Sequence, residues 1–125
     1  MLFRIGILAS LATASSLLCF AQPVSAQYSK ICATNNGGYV AEYKLDLGGI
    51  STGFNSGTAI GATKCYTGAD AYGSNTVPAN STFKLYTKAQ GGETITCVPD
   101  ELAYSATGGT KQYTSRGTTD NVTCH

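Results

Sequence analysis

Asn36-Gly37-Gly38-Tyr39-Val40-Ala41-Glu42-Tyr43-Lys44-Leu45-Asp46-Leu47-Gly48-Gly49 is the stretch that decides the fold. From Tyr39 it alternates without a break. Tyr39, Ala41, Tyr43, Leu45 and Leu47 point one way, and Val40, Glu42, Lys44 and Asp46 the other. Period two marks a strand with one buried and one wet face. At helical spacing the same residues would scatter apolar groups around the whole cylinder. Glycine pairs bracket the run, where the backbone can turn. The stretch is expected to form the first strand of the domain and the first wall of its core.

Downstream, turn signals recur at short intervals: Asn55-Ser56-Gly57, Gly73-Ser74-Asn75, Pro78-Ala79-Asn80, Gln90-Gly91-Gly92, Pro99-Asp100, Gly108-Gly109 and Gly117. The intervening runs, rich in Thr, Tyr, Val and Ile, predict strands near Thr58–Tyr66, Thr82–Lys88, Thr94–Val98, Leu102–Ala106, Lys111–Ser115 and Asn121–Cys124. Thr82–Lys88 and Thr94–Val98 read as a hairpin, with Phe83, Leu85 and Thr87 on one face. No window carries a helical stripe, and Thr67–Thr76 reads as a loop. The expected fold is all-β: a small, disulfide-stapled antiparallel β-sandwich of about seven strands.

Upstream, Met1-Leu2-Phe3-Arg4 carries one positive charge, Ile5–Phe20 is apolar, and Val24-Ser25-Ala26 places small residues before Gln27. This pattern reads as a signal peptide over residues 1–26, leaving one secreted, extracellular domain over 27–125. Cys19 leaves with the leader. Cys32, Cys65, Cys97 and Cys124 remain, an even set that implies two disulfides in a short secreted chain. Four cysteines allow three pairings; the expected one is Cys32–Cys124 with Cys65–Cys97. Gaps of about 30 residues without a Cys-x2-Cys knuckle argue against zinc.

With Arg4 removed, seven of the eight basic side chains remain against seven acidic ones, and no charge run occurs. Nucleic acid, which demands clustered basic residues, is therefore not an expected partner. A cationic peptide acting on anionic membranes is excluded on the same ground. The only histidine, His125, ends the chain, where general acid–base work is poorly supported because chain ends tend to be mobile. Glu42 with Asp46 and Asp100 with Glu101 are the available carboxylate pairs, and a wet strand face and a turn account for them. A small fungal guanyl-specific ribonuclease would need two histidines, so that family is set aside. The chain is read as non-enzymatic, without cofactor or metal.

Function then falls to the aromatics. Tyrosine joins a flat apolar body to a polar tip, which suits interfaces and sugar rings. Tyr66 and Tyr72 are candidate binding residues beside the 67–76 loop, and Tyr86 and Tyr113 are candidate outward aromatics on strands. Asn80-Ser81-Thr82 and Asn121-Val122-Thr123 are sequons, so Asn80 and Asn121 are candidate glycosylation sites, with access to Asn121 limited by nearby Cys124.

Gly37-Gly38-Tyr39-Val40-Ala41 and the alternation after it resemble the first strand of the membrane-binding C-terminal β-sandwich domain of cholesterol-dependent cytolysins and small secreted relatives. About ten residues carry the likeness. The Trp-rich undecapeptide and the Thr-Leu sterol-recognition pair have no counterpart, so the resemblance implies the fold and not cytolysis. By size, leader and cysteine count, the chain also looks like small secreted fungal effector proteins. The expected function is binding, as a monomeric effector or extracellular interaction protein with a protein or glycan partner. The alternatives are a glycan- or membrane-lipid-binding module and, behind it, a small carboxylate-dependent hydrolase.

Overall fold

The computed structural model describes residues 26–125. The expected signal peptide, residues 1–26, lies outside the described residues apart from Ala26. Nine strands and one short helix follow in the order β1 (Gln27–Asn35), β2 (Ala41–Leu47), β3 (Ile50–Ser51), β4 (Thr63–Thr67), α1 (Gly68–Tyr72), β5 (Thr82–Ala89), β6 (Ile95–Thr96), β7 (Leu102–Tyr104), β8 (Gly109–Thr118) and β9 (Asn121–Cys124).

The alternation that opened the sequence is realised in full. Tyr39, Ala41, Tyr43, Leu45 and Leu47 are buried, and Glu42, Lys44 and Asp46 lie on the outer face. It is the second strand, however, and not the first. Gln27–Asn35 precedes it and pairs with three neighbours: β4 antiparallel, and β7 and β8 in parallel. The strands form one hydrogen-bonded path, β3-β2-β5-β7-β1-β8-β9, with β4 flanking β1 and β6 flanking β5. The all-β architecture stands. Its arrangement is a mixed, continuous sheet of nine strands rather than about seven purely antiparallel ones.

The β2–β5 and β1–β8 arms of this path share one core. Phe83 and Leu85 of β5 join Tyr43, Leu45 and Leu47 of β2, together with Ile31, Ala33, Tyr66 and Tyr113 from the other arm. Phenolic oxygens bridge the arms. Tyr43 and Ser115 share a hydroxyl–hydroxyl bond, and the Tyr66 hydroxyl donates to the Tyr43 carbonyl at 2.8 Å. The Tyr28 and Phe83 rings meet edge to face at 6.2 Å.

Both disulfides differ from the expected pairing. Cys32 is bonded to Cys65, and Cys97 to Cys124. Cys32 and Cys65 are direct partners in the β1–β4 ladder. Near the other bridge, the Val98 amide donates to the Cys124 carbonyl at 3.0 Å, so β9 returns alongside the segment after β6. Ladder register, not closure of the chain ends, decides the pairing.

The expected 67–76 loop contains α1. The Thr67 amide donates to Asp70 Oδ2 at 2.7 Å, satisfying one donor at the helix start, and Gly73 takes a positive φ at its end.

The core tyrosines carry a pH signature. Burial pushes the Tyr43 hydroxyl up to about 12 against the opposing pull of its bond to Ser115. Burial also pushes Tyr113 up to about 12, aided by Tyr28 and Asp100. Tyr39 and Tyr66 rise for the same first cause. Below the ordinary tyrosine value of 10.0 both folded and unfolded chains keep these protons. Above it the unfolded chain ionises first, so stability is fully present below pH 10 and is lost as pH climbs toward 12. In an alkaline titration, tyrosinate absorbance from these residues should appear together with loss of the β-sheet circular dichroism. Ionisation of all eight tyrosines near pH 10 with the sheet intact would contradict this.

Candidate binding face

The four tyrosines named from sequence do not come together. Tyr66 belongs to the core, 4% exposed. Tyr72 lies on α1 and braces the β2–β3 turn, its hydroxyl donating to the Leu47 carbonyl at 3.0 Å. Tyr113, expected to face outward, is fully buried and donates to the Pro99 carbonyl at 2.7 Å. The reason is register: parallel pairing of β8 with β1 sets Tyr113 against Ala33 and turns Tyr113 and Ser115 inward. Tyr86 alone stands on an outer sheet face.

That face is built by β2 and β5. Tyr43, Leu45, Leu85 and Thr87 occupy the inner side, so alternation sends Glu42, Lys44, Asp46, Lys84, Tyr86 and Lys88 outward. The register pairs Glu42 with Lys88, Lys44 with Tyr86 and Asp46 with Lys84. Glu42 Oε1 and Lys88 Nζ are 3.6 Å apart. Opposite charges facing across strands stabilise the pair by roughly 0.2–1 kcal/mol each.

Phe54 joins the face from the segment after β3. The Thr52 and Asn55 amides donate to the Leu45 and Tyr43 carbonyls, both at 2.9 Å, so residues 52–55 run along β2 almost as a strand. Asn55 Oδ1 and Thr52 Oγ1 accept the Tyr43 and Leu45 amides in return. Phe54 thereby comes beside Lys44. The Lys44 ammonium lies 4.9 Å from the centroids of both Phe54 and Tyr86, and Lys88 lies 4.7 Å from Phe54. Such cation–π contacts contribute about 0.5–1 kcal/mol each where water has access.

Beyond Tyr86 the face runs into a hollow of about 360 Å³, lined by Asp46, Asn80, Thr82, Lys84, Tyr86 and Glu101 among others. Asp46 and Glu101, far apart in sequence and in different expected pairs, share this hollow. Asn80 takes a left-handed φ of 63° at its rim and is exposed. Asn121 is exposed as well, at the start of β9, despite its nearness to Cys124.

Phe54, Lys44 and Lys88 were not named as candidates from sequence. The wet face of β2 was legible, but the partner of each residue across β5 depends on register, and Phe54 lies between Gly53 and the Asn55-Ser56-Gly57 turn signal in a segment whose return along β2 local pattern does not reveal. The chain end is also better held than a terminal residue suggests. The His125 amide donates to the Thr114 carbonyl at 3.0 Å, and its carbonyl accepts the Thr114 amide at 2.8 Å. The residue remains exposed. Among the described residues no group of three His, Cys, Asp or Glu could hold a metal ion, and no helix is long and apolar enough to cross a membrane.

No protein-family model matches the chain, and no curated protein matches it. Among solved structures it is similar to listeriolysin O, a cholesterol-dependent cytolysin. The likeness has a TM-score of 0.46 at 16% identity, over 78% of this chain and 22% of that one. This is a weak structural resemblance. The chain spans less than a quarter of the neighbour's length.

Proposed function

We propose that the protein is a secreted, non-enzymatic binding protein, an effector or extracellular interaction protein, and that it engages its partner through the outer face of β2 and β5. The observation that carries this reading is the grouping of Phe54, Tyr86, Lys44 and Lys88 on one sheet surface. Rigid aromatic groups supply contact area at low conformational cost, and tyrosine is enriched where interfaces concentrate their energy. Lys44, Lys84 and Lys88 are balanced by Glu42, Asp46 and Glu101, so the partner is of low net charge rather than a polyanion.

The hollow beside Tyr86 favours a neutral glycan as the second reading. Asn80, Asp46 and Glu101 offer hydrogen-bonding groups to sugar hydroxyls next to an aromatic edge. A glycan attached to Asn80 itself would cover that rim, so use of the first sequon and sugar binding in the hollow exclude each other.

The folded protein should be presented to immobilised neutral oligosaccharides, to phosphatidylcholine vesicles with and without sterol, and to a panel of extracellular proteins. Phe54→Ala and Tyr86→Ala should each weaken whatever binding is found by tenfold or more, about 1.4 kcal/mol, with folding unchanged. Binding undiminished in both variants overturns the assignment of the face. A sugar-only response selects the second reading.

A further inference from the structure

We propose that the mature protein begins with a pyroglutamate formed from Gln27. The inference rests on the secretory reading, since cleavage after Ala26 is what makes Gln27 the terminal residue. Once it is terminal, its α-amine lies a five-membered ring away from its own side-chain amide. The amine attacks Cδ, an amide bond forms between the α-nitrogen and Cδ, and the Cδ–Nε2 bond breaks. Ammonia leaves with the proton given up by the amine. Neither an oxidant nor any other co-reactant is needed.

The structure is arranged to accept this product. Gln27 is exposed at the start of β1, so its side chain is free to close on the amine. From its carbonyl onward the backbone is already fixed. Gln27 and Tyr28 pair with Ala103 and Tyr104, and a Cβ added at Gly108 would stand only 2.6 Å from the Gln27 carbonyl oxygen. Ring closure uses only atoms on the amino side of that carbonyl and leaves the strand undisturbed.

The surroundings also favour a neutral terminus. Gln27 lines a hollow of about 450 Å³ with apolar Val77, Pro78 and Ala79 and the uncharged polar side chains of Thr76, Asn80 and Ser105 among others. None of these side chains carries a charge that could pair with an ammonium. A lactam has the dimensions of a proline ring and no charge, and it suits a wall of this composition. It would also block exopeptidase trimming of β1, the strand that pairs with β4, β7 and β8.

The full chain should be expressed through a secretory pathway and recovered from the medium for intact mass and peptide mapping. The expected amino-terminal peptide begins at position 27 and is lighter than its glutamine form by one ammonia. It should resist stepwise amino-terminal degradation until treated with a pyroglutamyl peptidase. Gln27→Ala should start at the same position, open to degradation. A native chain that begins at Gln27 and keeps a free amine after prolonged incubation at neutral pH overturns the lactam while leaving secretion intact. A secreted chain that begins elsewhere removes the lactam and leaves secretion intact, whereas a chain that retains residues 1–26 removes the secretory reading and the lactam with it.

Discussion

Reduction of both disulfides is expected to unfold the protein at room temperature, whereas loss of either one alone should leave it folded and weakened. The bridged cysteines are separated by 33 and 27 residues. Closing loops of that length removes chain entropy from the unfolded state worth about 3.5 kcal/mol for each bridge. Together that is about 7 kcal/mol, comparable with the whole stability of a domain this size, about 5–15 kcal/mol. Denaturant titrations with and without a phosphine reductant measure the sum, and Cys32→Ala with Cys65→Ala, or Cys97→Ala with Cys124→Ala, measure the parts. Alanine is the better replacement because Cys32, Cys97 and Cys124 are buried, and a serine hydroxyl there would add its own desolvation cost. A reduced protein with an unchanged midpoint would show that the sheet stands without its staples. Peptide mapping of the oxidised protein must recover Cys32 linked to Cys65, since a Cys32–Cys124 peptide is incompatible with the β1–β4 register.

The misassigned pairing shows where sequence reading loses its grip. The strands that bury one face were visible, because β2 and β5 write their burial as strict alternation, from Ala41 to Leu47 and from Phe83 to Ala89. Strand β1 was not. Its consecutive buried residues Ile31, Cys32 and Ala33 erase the alternation, and Ser29, Lys30, Thr34 and Asn35 dilute the apolar run that would otherwise mark a strand covered on both sides. Without β1 there was nothing to place beside β4 or β8, so Cys32 had no visible partner and Tyr113 no visible inward neighbour. The candidate face divides in the same way. Lys44, Glu42 and Tyr86 could be assigned to outer surfaces from alternation alone. Their grouping with Phe54 required the β2–β5 register and the return of residues 52–55 along β2, neither of which is encoded in local pattern.

Asn35→Ala is expected to destabilise the protein by about 3 kcal/mol, a loss of about 15 °C in Tm for a domain of this size. Asn35 is fully buried at the end of β1 and holds three backbone groups through one side chain. Its Nδ2 donates to the carbonyls of Tyr39 at 2.6 Å and Thr58 at 3.0 Å, and its Oδ1 accepts the Gly37 amide at 2.9 Å. The Thr58 carbonyl has a second partner in the Ala41 amide. The Gly37 amide and the Tyr39 carbonyl would lose the contacts that Asn35 provides. Each buried group left unsatisfied costs about 1–3 kcal/mol, and the space vacated by the amide adds to that. Asn35→Asp separates shape from hydrogen bonding. It keeps the volume and the acceptor for Gly37 but turns a carboxylate oxygen toward two carbonyls, so at neutral pH it should be at least as unstable as the alanine variant. Lowering the pH should return part of that loss, because a protonated carboxyl can donate to one of the two carbonyls. An aspartate variant as stable as the native protein would mean that the donors of Asn35 do not hold the turn. The segment from Asn36 to Val40, on which entry into β2 depends, would then be held by its backbone bonds to Ser115, Gly117 and Gln90 and by the Tyr39 hydroxyl on the Arg116 carbonyl.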